Sequence, residues 1–87
     1  MPFFVYIIQS ETTGKIYTGQ SADIARRLSQ HNDPANHLTL HTKRHKGPWK
    51  LIHVEEYPTR SEAIRREREL KTGKGREWIK RYLFPGR

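Results

Sequence analysis

Two apolar stretches near the start of the chain predict a pair of strands. FFVYIIQ, at residues 3–9, is aromatic or aliphatic at almost every position and carries no helix start or stop signal, which is typical of a strand buried on both faces. IYTG, at residues 16–19, follows a turn-rich segment that contains Thr13 and Gly14. We therefore expect a hairpin closed near these two residues, with residues 3–9 at the centre of the sheet.

The pattern after the hairpin predicts a helix and then a loop. Ser21 is a good N-cap residue, and Asp23 places a negative charge in a first helical turn, so we expect a helix over residues 22–31. Residues 32–48 show no sustained period and include two prolines, which predicts a long loop. A loop of this length in a compact domain is commonly a functional segment.

The second half of the chain predicts one strand followed by two helices. WKLIHVEEY, at residues 49–57, has the composition of a strand. A capping box that begins at Thr59 predicts a helix over residues 60–71. Gly75 then predicts a break before a short final helix over residues 76–83.

Length and composition limit the kind of site that the chain can build. With 87 residues we expect one small domain, spanning residues 1–87, whose site is a surface groove because little volume is left for an internal cavity. The absence of cysteine excludes disulfides, Fe–S clusters and thiolate zinc sites. The five histidines show no metal-ligand spacing, and an oxygen-liganded Mg²⁺ stays compatible with the composition.

The sequence carries no sign of membrane insertion or export. Its first residues, MPFFVYIIQS, have no basic segment and no small-residue cleavage site, so they predict a strand and not a signal peptide. No stretch approaches the roughly 20 apolar residues that span a bilayer. We expect a soluble protein of the cytoplasm.

Positive charge is concentrated in the second half of the chain. The formal net charge is +8, and residues 1–42 hold three basic and three acidic side chains against fourteen and six in residues 43–87. A basic field of this size attracts polyanions, which favours nucleic acid as the partner. The basic side chains that we predict to contact nucleic acid are Lys43, Arg44, Lys46, Arg66, Lys71 and Lys74.

Helical spacing places two sets of reactive side chains on partly buried faces. Arg27 and His31 are four residues apart and share a face, and Glu67 shares one with Ala63 and Leu70. A structural interpretation is open for both sets: the stem of Arg27 would cover the core, and Glu67 would form an ion pair with an arginine. Glutamate, arginine, tyrosine and histidine above a basic surface are also the residue types that phosphodiester hydrolysis requires.

These residues resemble the GIY-YIG nucleases, and especially the small stand-alone bacterial members. VYI at residues 5–7 matches the first family motif loosely, without its glycine, and YTG at residues 17–19 matches the second with threonine in the middle. Arg27 follows ten residues after the second tyrosine, His31 closes the same predicted helix, and EAIRRERELK places Glu67 at the position of the family's metal-binding glutamate. The resemblance covers nearly the whole chain.

The resemblance implies an α+β fold, with a three-stranded antiparallel sheet flanked by helices in the order ββαβαα. It also implies a metal-dependent DNA endonuclease that hydrolyses phosphodiester bonds with one divalent cation, Mg²⁺ or Mn²⁺, on Glu67. Arg27 would stabilise the phosphoryl charge, Tyr6 and Tyr17 would line the site, and His31 would assist. One of the two tyrosines would position or deprotonate the attacking water, and the sequence does not decide which.

The substrate implied is DNA, with branched or single-stranded regions as the preferred targets and a role in repair or recombination. Cleavage would be structure-selective or weakly sequence-specific, and a protein partner could supply further selectivity. Two other interpretations stay open: a nucleic-acid-binding module with the same fold that hydrolyses nothing, and a protein-interaction adaptor. DNA binding with a steep salt dependence but without cleavage would distinguish the first of these.

Overall fold

The computed structural model describes residues 2–33 and 48–84, so the predictions for Lys43, Arg44 and Lys46 lie outside the described residues. The strands are β1 (Phe3–Ser10), β2 (Ile16–Ser21) and β3 (Trp49–Tyr57), and the helices are α1 (Ile24–Asn32), α2 (Arg60–Leu70) and α3 (Gly73–Leu83). The strands form one antiparallel sheet in the order β2-β1-β3. The predicted α+β class and the order ββαβαα are confirmed.

The central strand β1 is buried on both faces, as its unbroken apolar run predicts. The side chains of residues 5–8 are all essentially inaccessible to solvent. Val5 and Ile7 point to one face, where they pack with Ala63, Leu70 and Ile79 of the two C-terminal helices. Alternation along the strand sends the intervening side chains to the other face.

The opposite face carries a second, smaller core beneath α1. Tyr6 and Ile8 of β1 pack there with Trp49 of β3, and Tyr17 and Leu28 join the cluster at its margin. A three-stranded sheet with an apolar layer on each side needs helices on both faces, and α1 covers this second face. The tyrosines of both family motifs therefore belong to the α1 side of the sheet.

Two of the predicted helix boundaries are wrong, and tertiary packing explains one of them. The N-cap of α1 is Asp23, whose carboxylate accepts a hydrogen bond from the backbone N–H of Arg26 at 3.1 Å; the Ser21 hydroxyl accepts one from Asp23 N–H and so belongs to the preceding turn. Gly75 lies inside α3 and does not break it. A Cβ at Gly75 would meet the backbone of Leu70, so glycine allows the first turn of α3 to pack against the end of α2.

Candidate active site

The two motif tyrosines lie side by side because Gly19 has no side chain. Tyr6 is paired with Gly19 across β1 and β2, and Tyr17 precedes that glycine by two residues on the same face. A Cβ on Gly19 would lie 2.5 Å from Tyr6 Oη and 3.1 Å from the Tyr17 ring. The ring centroids of Tyr6 and Tyr17 are 6.5 Å apart, so both phenols reach the same edge of the sheet.

His31 joins the tyrosines from the last turn of α1. A buried hydrogen bond of 2.9 Å joins its Nε2 atom to Tyr6 Oη, and its ring centroid is 4.9 Å from that of Tyr17. The next residue, Asn32, clamps the end of the helix to β3, because its side-chain amide donates to Trp49 O and accepts from Trp49 N–H. This pair of bonds anchors to β3 the end of the helix that carries His31.

Arg27 lies one helical turn before His31 on the same side of α1. Its Nη1 atom is 3.5 Å from Gln30 Oε1, which is too long for a strong hydrogen bond. Its Nε atom is buried and has no hydrogen-bond partner within residues 2–33 and 48–84. An unpaired buried donor costs about 1–3 kcal/mol, so this arrangement of the guanidinium does not serve stability.

Burial keeps both motif tyrosines in the neutral form. It raises the pKa of Tyr6 to about 12, although a hydrogen bond from the Arg27 side chain and the positive charge of that residue oppose the shift. Burial also raises the pKa of Tyr17, and there too Arg27 opposes the shift while the negative charge of Glu67 adds to it. Phenolate is therefore scarce at neutral pH, and the hydroxyls act as hydrogen-bonding groups.

Glu67 approaches the tyrosines from α2, beside the edge strand β2. Its side chain is only 20 % exposed, and its partner in an ion pair is Lys71, whose Nζ lies 3.8 Å from Oε1. The same Nζ is 5.9 Å from the centroid of the Tyr17 ring. The proposed ion pair of Glu67 with an arginine is therefore absent from the described part of the chain, and a lysine beyond hydrogen-bonding distance takes its place.

The acidic donor set of this site is a single carboxylate. The described residues contain no group of three or more His, Cys, Asp or Glu side chains that could hold a metal ion by themselves. Mg²⁺ commonly binds through one or two carboxylates and completes its octahedron with water and substrate phosphate oxygens. The half-buried Glu67, with only a distant cationic partner, fits a cation of this kind.

A second polar cluster, which the sequence analysis missed, lies on the other face of the sheet. We call it the Glu55 network, because the Glu55 carboxylate accepts hydrogen bonds from His53 Nε2, Tyr57 Oη and Arg66 Nε at 2.8, 2.6 and 2.9 Å. Arg66 also pairs with Glu69 and stacks over the Trp78 ring, at 4.8 Å from its centroid. The alternation of residues 53, 55 and 57 in β3 is the signal that could have predicted it.

The Glu55 network affects both the carboxyl group and one predicted DNA contact. Although burial opposes ionisation, hydrogen bonds from Arg66, Tyr57 and His53 lower the pKa of Glu55 to about 2. Burial, followed by the bond to Glu55, raises the pKa of Tyr57 to about 12. Arg66 is engaged by two carboxylates here, so a contact of its guanidinium with nucleic acid stays a prediction.

The remaining predicted nucleic-acid contacts are open to solvent. Lys71 is about half exposed at the edge of the tyrosine site, and Lys74 is exposed in the first turn of α3. None of the helices in the described ranges is both long and apolar enough to cross a membrane.

Comparison with known proteins adds family membership to this geometry. The family model of the GIY-YIG catalytic domain matches residues 2–82. UPF0213 proteins of Staphylococcus epidermidis and Staphylococcus aureus are each 38% identical to the chain over 69 residues, which is 79% of this chain and 79% of each relative. The solution NMR structure of a UPF0213 protein from Bacillus halodurans superposes with a TM-score of 0.55 at 29% identity, covering 98% of this chain and 89% of that one. The chain therefore belongs to the GIY-YIG family, which is a family of endonucleases.

Proposed function

We propose that this protein is a metal-dependent DNA endonuclease that hydrolyses phosphodiester bonds. The observation that carries the proposal is the convergence of Tyr6, Tyr17, Arg27, His31 and Glu67 at one edge of the sheet. Within this group Arg27 Nε has no hydrogen-bond partner among the described residues, and the cationic partner of the Glu67 carboxylate there is Lys71 at 3.8 Å. Membership of an endonuclease family supports the same conclusion.

Each side chain has a role that follows from its surroundings. Glu67 would hold the divalent cation, Mg²⁺ or Mn²⁺, which supplies Lewis-acid polarisation of the scissile phosphate. Arg27 would donate hydrogen bonds to the phosphoryl oxygens as negative charge builds up on them. The Arg27 side chain also lines the open groove at the C-terminal end of β2, where such an acceptor would bind.

The tyrosines and His31 would orient and deprotonate the attacking water. Because the pKa of Tyr6 is about 12, its hydroxyl is a donor at neutral pH, and a neutral His31 would accept from it through Nε2. Histidine is the side chain whose ordinary pKa allows it to take up a proton near neutral pH. We therefore assign orientation of the water to the phenols. The water's proton would pass to Tyr6 Oη as the Tyr6 proton passes along the existing hydrogen bond to His31 Nε2.

We propose DNA with single-stranded or branched regions as the substrate, and repair or recombination in the cytoplasm as the setting. The net charge of +8 supports phosphate recognition that does not depend on sequence. Selection would then come from the shape and deformability of the DNA more than from contacts with bases.

One observation favours the alternative of a binding module without catalysis. Lys71 already provides a positive charge beside Glu67, the only carboxylate of the described site. A protein that used this pair to hold its surface together would bind DNA and leave it intact.

The deciding experiment compares cleavage of labelled duplex, single-stranded, flap and four-way-junction DNA in Mg²⁺, in Mn²⁺ and in EDTA. Wild type, Arg27→Ala and Glu67→Ala are tested with two matched controls, Arg65→Ala and Glu77→Ala, which change exposed side chains of α2 and α3. We expect metal-dependent products from wild type and both controls and none from the two site variants. Intact DNA in every reaction, with binding retained by all five proteins, would replace the endonuclease with the binding module.

A further inference from the structure

A basic groove lies at the C-terminal end of β2. Its volume is about 460 Å³, and its lining includes Gln20 and Ser21 of β2 and three arginines, Arg26, Arg27 and Arg60. Arg26 and Arg60 form no ion pair with any acidic side chain in the described ranges. Their charges are therefore available to a ligand.

The acidic residue of this groove is already engaged. Asp23 also lines the groove, but its carboxylate accepts the backbone N–H of Arg26 as the N-cap of α1. Arg60 is held by stacking, with its Cζ atom 5.1 Å from the centroid of the Phe3 ring. Three guanidinium groups around one capped carboxylate leave a net positive groove, which suits an anionic ligand.

A second hollow lies at the other end of the same strand. Its volume is about 270 Å³, and its lining combines Ile16, Tyr17 and Thr18 of β2 with Lys71 and Arg76. Arg76 is exposed and, like the arginines of the first groove, has no ion-pair partner in the described residues. Two basic hollows thus flank one edge strand.

The proposed catalytic residues lie between these two hollows. Helix α2 has Arg60 at the first hollow and Leu70 at the second, so it runs alongside β2 in the opposite direction and carries Glu67 between them. Arg27 belongs to the first hollow and Tyr17 to the second. From residue 16 to residue 20 a strand rises about 13 Å, so a nucleic-acid strand laid along β2 could reach both hollows with a few consecutive phosphates.

We propose that the two hollows bind the phosphates of one DNA strand on either side of the cleaved bond. Arg26 and Arg60 would contact the phosphates on one side, and Arg76, with Lys71, those on the other. The bound strand would therefore follow the edge strand β2 along its whole length. This inference rests on the proposed function for the position of the cleaved bond, but the binding surface itself can be tested without cleavage.

The first test measures binding without catalysis. Fluorescence anisotropy in EDTA follows the affinity for a labelled single-stranded oligonucleotide and a labelled fork between about 50 and 200 mM KCl. The variants are Arg26→Gln/Arg60→Gln and Arg76→Gln. The matched double control is Arg65→Gln/Arg81→Gln, which removes two charges from exposed positions outside both hollows.

We expect the groove double variant to lose about tenfold or more in affinity. The slope of log K against log salt should also become shallower, its magnitude decreasing by roughly 1 to 2, because each lost phosphate contact removes about 0.7 to 0.9 from that magnitude. The single Arg76→Gln change should lower the slope by about half as much, and the control pair should lose less than the groove pair. Equal slopes and affinities for the groove pair and the control pair would overturn the proposal.

The second test assigns each hollow to one side of the cleaved bond. An uncharged methylphosphonate replaces single linkages upstream or downstream of that bond in an otherwise natural substrate. On the side that contacts Arg26 and Arg60, a neutral linkage should slow cleavage by wild type but cause no further loss in Arg26→Gln/Arg60→Gln. On the opposite side, a neutral linkage should cause no further loss in Arg76→Gln. The same penalties in every variant would contradict the assignment.

The two tests separate failure of this surface from failure of the endonuclease. If no DNA is cleaved, the effect of a methylphosphonate at each linkage in turn is measured on binding, by anisotropy. The proposed path of the bound strand can therefore be tested even when the protein has no catalytic activity. If DNA is cleaved and the groove variants bind as the control does, the endonuclease stands and the strand path is wrong.

Discussion

Two clusters of the same residue types lie on opposite faces of the sheet. Only one of them is closed, in the sense that its charged side chains are paired with one another, and the other is open. The Glu55 network and the tyrosine site each combine histidine, tyrosine, arginine and glutamate. In the network, Glu55 accepts hydrogen bonds from three side chains, and Arg66 forms ion pairs with two carboxylates. In the tyrosine site, Arg27 Nε has no hydrogen-bond partner among the described residues. The ion-pair partner of the Glu67 carboxylate there is the Lys71 ammonium group at 3.8 Å.

This difference shows that a shifted pKa by itself does not identify a catalytic group. The pKa values of Tyr57 and Tyr6 are both raised to about 12, yet one belongs to the closed network and the other to the open site. Buried polar groups in stable structures are almost always satisfied. The unsatisfied donor therefore discriminates better between the two clusters than the pKa does.

The largest expected effect is the loss of cleavage in Glu67→Gln. Removing the carboxylate that we propose to hold the cation should lower the cleavage rate roughly 1,000-fold or more. The melting temperature should stay close to that of wild type, because the ion-pair partner of Glu67 in the described part of the chain, Lys71, lies beyond hydrogen-bonding distance at 3.8 Å. Single-turnover cleavage and calorimetry measure the two quantities.

Glu55→Gln is the matched comparison for this variant. It also removes one charge from a half-buried glutamate, but from the closed cluster, and so it should keep the cleavage rate at temperatures well below its melting point. Equal losses of activity in the two variants would contradict the division into an open and a closed cluster.

Arg27→Gln should give the next largest effect, again on catalysis and not on stability. Loss of a guanidinium that stabilises the phosphoryl charge should reduce kcat about 100- to 1,000-fold. Because the change also removes an unpaired buried donor, the free energy of unfolding should stay constant or rise by about 1 kcal/mol. Urea denaturation provides that second measurement, and a clear loss of stability would mean that Arg27 serves the fold.

The central strand and the order of elements could be predicted because local patterns determine them. The unbroken apolar run of β1 predicts burial on both faces, and the capping box at Thr59 predicts where α2 begins. The predicted helix break at Gly75 is wrong, because the local cost of glycine in a helix is outweighed by the close approach of α3 to Leu70. That approach is a tertiary contact and has no signature in a local window.

The same limit applies to the site. Spacing shows that Arg27 and His31 share a helix face, but the bond from His31 to Tyr6 joins residues 25 positions apart. The neighbourhood of Arg60 and Arg26 likewise depends on how α2 lies against β2. The family motif predicts which residue types form the site, and packing determines which of their atoms remain unpaired.

Loss of the Glu55 carboxylate should affect stability and its dependence on pH. The pKa of this group is lowered to about 2 in the folded protein and is about 4.3 when unfolded. Its ionised form therefore stabilises the fold above about pH 4.5, and this contribution disappears as the pH falls towards 2. The whole contribution is on the order of 3 kcal/mol.

Urea unfolding at a series of pH values tests this contribution. Wild type should lose stability steeply between about pH 5 and pH 2, and Glu55→Gln should start lower and lose less over that range. Parallel curves for the two proteins would show that other carboxylates cause the acid sensitivity.

The smallest effect that we predict separates two glycines. Gly14→Ala changes a residue at φ +77° with no atom within 4 Å of the new Cβ, so it should cost about 1 kcal/mol of stability through backbone strain and leave cleavage unchanged. Gly19→Ala should cost about 1–2 kcal/mol by overpacking and should also slow cleavage about tenfold, because a Cβ 2.5 Å from Tyr6 Oη forces that hydroxyl away from His31.

Combining Gly19→Ala with Tyr6→Phe should reduce the rate by less than the product of the single effects, since both changes act on the same hydrogen bond. Fully multiplicative effects would mean that Gly19 acts on the site by another route than Tyr6.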